Sequence, residues 1–492
     1  MQWIKNLHEG IKMSSSVKKN LFYSLLYQIV TSALPLITVP YVSRVLQANG
    51  IGISTFTFSI TQYFILFGTL GLTLYGNRQI AYTRDDKEKL SKTFWSILFL
   101  RIITIGFAAI LYVIIFFRIK EYKEIYMVQT INIVAAILDI SWLYTGIEDF
   151  KKTVTRNLIV RIVGVCFIFA FVKTKDDLML YVLINGLTSL LGNILLWFYI
   201  PGIVNKVKLH RNEILIHLLP SIKLFIPQVA MQVYVVLDKT MLGLLSNLTE
   251  VGYYEQSEKV IKISLNFITI LGTVMLPRVS NLFAKGEDEK IKNYLNFSLR
   301  GVACVAIPLT FGIISITDKF VPWFFGTGFE PVKYIIPLLS PILYLIATSN
   351  VIGIQYLLPT NKTREFTISV TSGAIVNLLM NLVLIPKFGA IGACLGTLSA
   401  ELTVTLVQYK YINKDVDIRY YFEGIKKYII TGVIMLLVVK MIGYTLNPNI
   451  ITTVFQIFMG TFVYIVGLII LREEYSNSLV KSLTSSLKKG YK

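Results

Sequence analysis

Ionisable chemistry is scarce in this chain of 492 residues. Only 15% of it is Asp, Glu, Lys or Arg, where a soluble protein of this size carries about 25%. There are three cysteines, and Cys166, Cys304 and Cys394 all sit within apolar runs. That leaves neither a disulfide framework nor a metal-ligand spacing. The three histidines, His8, His210 and His217, are scattered in or near polar stretches, and no convergent acid/base set is visible. No glycine-rich phosphate loop followed by Lys and Ser or Thr occurs, which argues against direct use of ATP. Connecting loops are short, the longest running to about 20 residues, too little for a separate folded domain. A membrane polymerase or glycosyltransferase would more often display a large external catalytic loop. The N-terminus does not read as a cleavable leader: it is polar and basic, and the first apolar run is too long.

What the chain has instead is apolar length. Hydrophobic residues make up 54% and the mean hydropathy is +0.64. Stretches long enough to span a bilayer fall in the first half at 21–45, 52–76, 94–117, 125–147, 155–173 and 179–201. In the second half they fall at 222–246, 256–280, 296–316, 332–358, 366–386, 390–411, 427–445 and 450–471. These predict an all-α polytopic membrane protein with about 14 transmembrane helices. The net charge of +20 could suggest nucleic acid, but its distribution argues for topology instead. Alternate loops collect the basic residues: Lys5, Lys12, Lys18 and Lys19; Arg84, Lys87, Lys89 and Lys92; Lys206, Lys208 and Arg211; and the tail with Lys481, Lys488, Lys489 and Lys492. The intervening loops hold far fewer, such as Lys120, Lys175 and Lys319. Positive charge gathers on the cytoplasmic side, so both termini are expected in the cytoplasm, which requires an even number of spans.

The two halves also resemble each other. Val42–Tyr63 aligns with Leu242–Ile263 at a constant offset, placing Gly52 on Gly252, and the same offset puts Arg78 on Arg278. Beyond one inserted position Glu88-Lys89-Leu90 matches Glu289-Lys290-Ile291. Two six-helix lobes in parallel pseudo-repeat are expected, with alternating access between them. The boundaries read as 1–210 for the first lobe, 211–415 for the second, and 416–492 for two further helices and a basic tail.

Several stretches resemble a known group. "LPLITVPYVSRVLQANGIGISTFTFSI" is similar to the opening of the polysaccharide-transport family, the Wzx-type oligosaccharide flippases. "ILDISWLYTGIEDFKK" resembles that family's fourth helix, and "LDKTMLGLLSNLTEVGYYEQSEKV" its seventh and eighth. "VNLLMNLVLIPKFGAIGACLGTLSAE" resembles the eleventh and twelfth helices of the wider multidrug/oligosaccharidyl-lipid/polysaccharide exporter superfamily. The likeness runs the length of the chain. It implies a MATE/MurJ-like fold and a flippase, not an enzyme. The implied cargo is an undecaprenyl-pyrophosphate-linked oligosaccharide, carried from inner to outer leaflet of a bacterial cytoplasmic membrane for capsule or exopolysaccharide synthesis. A polysaccharide polymerase and other assembly proteins are the partners it suggests. No cofactor is expected beyond Na⁺ or H⁺ as a coupling ion. The alternatives are a small-molecule or multidrug antiporter of the same superfamily and, as a different class, a polysaccharide polymerase.

Charges inside spans narrow the candidates, because each costs about 2.5–3.5 kcal/mol near the bilayer centre and so lines a cavity or finds a partner. Asp139 and Glu401 lie deepest, and with Asp238 they are the candidates for ion coupling. A pyrophosphate needs cations to replace its hydration shell. Arg44, Arg78, Arg278, Lys239, Arg101 and Arg161 are the basic candidates for binding it. In the superfamily architecture that the resemblance implies, spans 1, 2, 7 and 8 border the central cavity, which puts Arg78 and Arg278 at its cytoplasmic mouth. Their plainer reading is topology anchoring. Gln228 and Gln232, one helical turn apart, could meet sugar, as could Tyr234, Trp142 and Tyr144. Pro35, Pro40, Pro227 and Pro341 sit where moving helices want hinges.

Overall fold

The computed structural model describes residues 15–413 and 418–473. Lys5, Lys12, Lys414 and the basic tail from Lys481 lie outside the described residues. Every regular element described is helical, as expected where no water is present to satisfy an open backbone. Eleven described segments are long and apolar enough to cross a membrane.

The chain divides into two compact units, Ser16–Glu255 and Gln256–Lys492. The first holds α1 (Ser15–Thr69), α2 (Leu72–Thr83), α3 (Lys87–Arg118), α4 (Lys123–Ile137), α5 (Ser141–Gly146), α6 (Phe150–Phe171), α7 (Leu178–Trp197), α8 (Arg211–Leu215) and α9 (Leu218–Leu245). It also holds the first two turns of α10 (Leu248–Ala284). The second holds the rest of α10, then α11 (Asp288–Phe325), α12 (Val332–Leu339), α13 (Ile342–Ile352), α14 (Thr363–Phe388), α15 (Ala390–Ile412), α16 (Ile418–Thr445) and α17 (Ile450–Ile470).

Helix α1 contains the first predicted span and the second as far as Thr69. They are separated where Gln47 leaves helical geometry, at φ 55 and ψ 175. The second, expected over 52–76, is broken by a kink through Leu70 (φ 47) and Gly71 (φ 72), and its last residues belong to α2. Pro35 and Pro40 lie inside α1, and Pro341 caps α13 where span 10 breaks after α12. Helices α9 and α10 occupy the places of spans 7 and 8. With 28 and 37 residues they exceed the ~20 needed to cross, although neither is among the eleven. Local chemistry sets the ends elsewhere. Asp86 caps α3 by accepting from the N–H groups of Glu88 and Lys89, both at 3.1 Å, and Asn449 caps α17 through Thr452 N–H at 2.7 Å.

Within the first unit the core near α2–α5 is aromatic. Phe94 stacks on Trp142 at 5.5 Å between centroids, and Tyr144 donates to the Leu196 carbonyl at 2.6 Å. Both Trp142 and Tyr144 are fully buried, so they serve packing rather than a sugar-facing surface. In the second unit α14 packs along α15 and α11 along α16. Asn377 and Asn381 are buried on α14, with the Asn381 amide donating to the Asn377 side-chain oxygen at 3.1 Å.

Candidate functional site

The two glycines that the repeat aligns are packed against each other. A Cβ on Gly52 would lie 1.6 Å from the Leu248 carbonyl oxygen and 3.2 Å from the Gly252 nitrogen. A Cβ on Gly252 would lie 1.9 Å from the Ala48 carbonyl oxygen. Only glycine permits so close a backbone crossing, and the reciprocity of the contacts is what positions on a two-fold axis produce. Each glycine follows a turn. Gln47 makes one, its amide donating to the Arg44 carbonyl at 2.9 Å. Asn247 makes the other, its side chain accepting from Glu250 N–H at 3.0 Å.

A charged cluster adjoins this crossing. Lys239 on α9 is paired with Glu255 on α10 at 2.5 Å, both largely buried. Beside it Tyr254 donates to Asp238 Oδ2 at 2.7 Å, and Ser59 of α1 meets the Thr240 hydroxyl at 3.0 Å. Three helices therefore bring a cation, two carboxylates and three hydroxyls together. Chemically this set can hold an ion, or exchange one ionic partner for another. Of its members, sequence reasoning singled out only Asp238 and Lys239; Ser59, Thr240, Tyr254 and Glu255 it missed. For Glu255 the signal was spacing: Glu250, Glu255 and Glu258 crowd the start of a membrane helix.

Arg101 and Asp139 form a second arrangement. Arg101 Nη2 lies 3.6 Å from Asp139 Oδ2. Its Nε donates to the Ala136 carbonyl at 2.9 Å and its Nη1 to Thr73 Oγ1 at 2.9 Å. Asp139 Oδ1 accepts from Ser141 N–H at 2.9 Å. The pair thus ties down the break between α4 and α5, where the chain leaves carbonyls without helical partners. Arg101 is buried.

The remaining candidates scatter. Arg78 is exposed in the middle of α2, 5.9 Å from the Tyr82 ring. Arg44 is exposed and folds back to the Pro40 carbonyl at 3.3 Å, while Arg161 and Gln232 are exposed on α6 and α9. The side chains of Gln228 and Arg278 lie outside the described residues. Glu401 is buried on α15, one turn before Thr405, whose hydroxyl donates to the Glu401 carbonyl at 2.8 Å. The second unit holds an ion pair that sequence reasoning missed. Arg300 on α11 meets Glu473, just beyond α17, at 2.5 Å, and both are buried.

Outside the spans, Asp86 and His217 are among the groups shifted from their ordinary behaviour. The Asp86 carboxyl is held below its usual range by the Lys89 N–H that it caps. His217 precedes α9, and its Nδ1 lies 2.8 Å from the Tyr75 hydroxyl. Burial pushes its pKa down.

Comparison with known proteins places this architecture. Over residues 17–283 the chain matches the family described as polysaccharide biosynthesis protein. It is 25% identical over 409 residues to the proposed O-antigen transporter of Escherichia coli (strain K12), covering 81% of this chain and 97% of that one. The fold is similar to that of the lipid II flippase MurJ in an inward closed conformation. That match has a TM-score of 0.73 at 18% identity and covers 91% of this chain and 99% of that one. A multidrug resistance MATE family transporter of the MOP superfamily, in an inward-facing conformation, gives 0.55 at 12% identity, over 80% of this chain and 99% of that one. The fold is therefore the MurJ/MATE-like fold of polytopic membrane proteins, and with more than half of its length matched the chain belongs to the polysaccharide biosynthesis protein family.

Proposed function

We propose that this protein is a flippase that moves an undecaprenyl-pyrophosphate-linked oligosaccharide repeat unit from the inner to the outer leaflet. In this reading it sits in a bacterial cytoplasmic membrane with both termini in the cytoplasm. The observation that carries the proposal is the family match over residues 17–283 in a chain of membrane-crossing helices. The O-antigen transporter, matched over nearly its full length, supports the same cargo class. A polysaccharide polymerase and other assembly proteins are the partners that would consume the flipped unit.

The chemistry follows from the charges. A pyrophosphate carries close to two negative charges, and Arg or Lys must replace its water. Arg78 is exposed on α2, in the turns before the basic loop that begins at Arg84, and is suited to capture the headgroup. Lys239 is held by Glu255 and can receive the headgroup only by exchanging one anion for the other. Exporting two negative charges from a negative-inside cell is favoured by roughly 4–5 kcal/mol per 100 mV, enough to drive the flip without ATP. Asp139 is committed to Arg101 and to the turn at Ser141. Asp238 and Glu401 remain, beside Asp139, the acidic candidates within spans for coupling to Na⁺ or H⁺.

The test is flipping in proteoliposomes with an undecaprenyl-pyrophosphate oligosaccharide, comparing native protein with Arg78→Ala/Arg278→Ala. Flipping by the native protein and its loss in a normally inserted double variant is the expected result. Equal flipping by both makes the arginines topology anchors. Indifference to an imposed potential would remove the electrical account, and failure to move any supplied lipid brings the drug-antiporter reading forward.

A further inference from the structure

A cavity of about 350 Å³ opens beside the start of α3, away from the glycine crossing and the Lys239 cluster. Lys92, Thr93 and Ser96 of α3 line one wall, and Asn212, Glu213 and His217 of the segment around α8 line the other. The lining offers one cation, one anion, two hydroxyls, an amide and an imidazole, with Ile216 among them. Lys92 is half-exposed, with Glu88 at 3.1 Å. Glu213 uses Oε2 to accept from the His210 N–H at 2.7 Å.

Below the cavity α3 changes character on the same face. Phe99, Ile103, Phe107 and Ile110 follow Ser96 at intervals of three and four residues, and all four are exposed. That spacing makes one continuous stripe along a helix. On the other wall Leu215, Ile216 and Leu219 are exposed next to the polar lining. An open, largely apolar hollow edged by Lys92, Glu213 and hydroxyls at the end of a membrane-crossing helix, continued by an uncovered apolar track, has the form of a headgroup and an acyl chain.

We propose that this cavity binds the headgroup of a zwitterionic aminophospholipid, with an acyl chain along the Phe99–Ile110 stripe. Lys92 meets the phosphate, assisted by Thr93, Ser96 and Asn212, and Glu213 accepts from the terminal ammonium. The paired opposite charges select this ligand. An anionic headgroup without an amine would leave Glu213 facing a phosphate, and a pyrophosphate would do so more strongly. A quaternary choline could not donate a hydrogen bond to Glu213.

The experiment is native mass spectrometry of the full-length protein, delipidated and then offered equimolar phosphatidylethanolamine, phosphatidylglycerol and phosphatidylcholine. Phosphatidylethanolamine is expected to be retained about tenfold over phosphatidylcholine, the worth of one charge-assisted hydrogen bond. Glu213→Gln keeps an acceptor for the His210 N–H, so the turn survives, and should abolish the preference while leaving phosphate binding. Lys92→Gln should weaken all three lipids together. Equal retention of the ethanolamine and choline lipids, or an unchanged preference in Glu213→Gln, overturns the proposal. A preference for phosphatidylglycerol reduces the site to a basic surface and also overturns it. Displacement of the bound lipid by undecaprenyl pyrophosphate would make the cavity a port for the cargo, and sinks it too.

Discussion

Two buried arginines, one in each compact unit, solve the same problem in different ways. Arg101 spreads its charge over a carbonyl, a hydroxyl and Asp139, which remains a quarter exposed at 3.6 Å. Arg300 faces Glu473, whose side chain has no exposure, at 2.5 Å. The first tie is local in purpose: it closes the break between α4 and α5. The second links α11 to the end of α17, fixing the last two helices to the unit that carries them. Arg101 keeps a carbonyl and a hydroxyl if its carboxylate is lost. A charge left alone in a buried site costs more than the pair contributes.

That contrast can be broken experimentally. Glu473→Ala should be the most damaging single change, costing about 3–5 kcal/mol because it takes the carboxylate away from a buried guanidinium. Arg300→Met/Glu473→Leu should restore most of the loss, and the unfolding midpoint in detergent reads both. If Glu473→Ala melts like the native protein, the tie to α17 is decorative. Asp139→Asn should cost less, about 1–3 kcal/mol, since Arg101 keeps its other two acceptors and Asn can still accept from Ser141 N–H. An equal effect of the two substitutions would erase the distinction between the two ties.

Acid titrates a smaller contribution. Burial keeps His217 neutral in the fold, whereas in the unfolded chain it protonates near its ordinary value of about 6.5. The unfolded state then binds the extra proton, so this contribution is complete above about pH 6.5 and is lost as the pH falls below it. The native midpoint should drop between neutral and mildly acidic buffer, and His217→Gln should drop less. The smallest effect belongs to Arg84 and Glu148, paired at 2.8 Å with both side chains well exposed. Removing Arg84 should leave the midpoint unchanged within error, because solvent screens such pairs. A clear loss there would mean that exposure is a poor guide to ion-pair strength in this protein.

Much of this was legible in sequence, unevenly. The turn near Gln47, the reach of α3 and the alternation of basic loops follow from apolar runs and charge placement. The alignment of Gly52 with Gly252 came from the repeat, and the structure brings the two together. Asp139 and Arg101 were both singled out, but as candidates for separate tasks. Nothing in a linear pattern says that they meet. Glu473 escaped notice because the residues after the last span read as a basic tail, and a single acid at a helix end has no pattern of its own. Trp142 and Tyr144 looked suited to sugar because aromatic type is visible in sequence and burial is not.

What the sequence determined by itself is the solvent of each segment. Hydropathy is a sum over neighbouring residues, so the chain alone fixes which stretches belong in lipid, and its resemblance to a family follows from order along the same chain. The tertiary structure decided which charge answers which: Lys239 with Glu255, Asp238 with Tyr254, Arg300 with Glu473. Those choices depend on where helices cross and how deep the crossing lies. A side chain's partner in a low-dielectric interior is set by a few ångströms of approach that no run of neighbouring residues encodes.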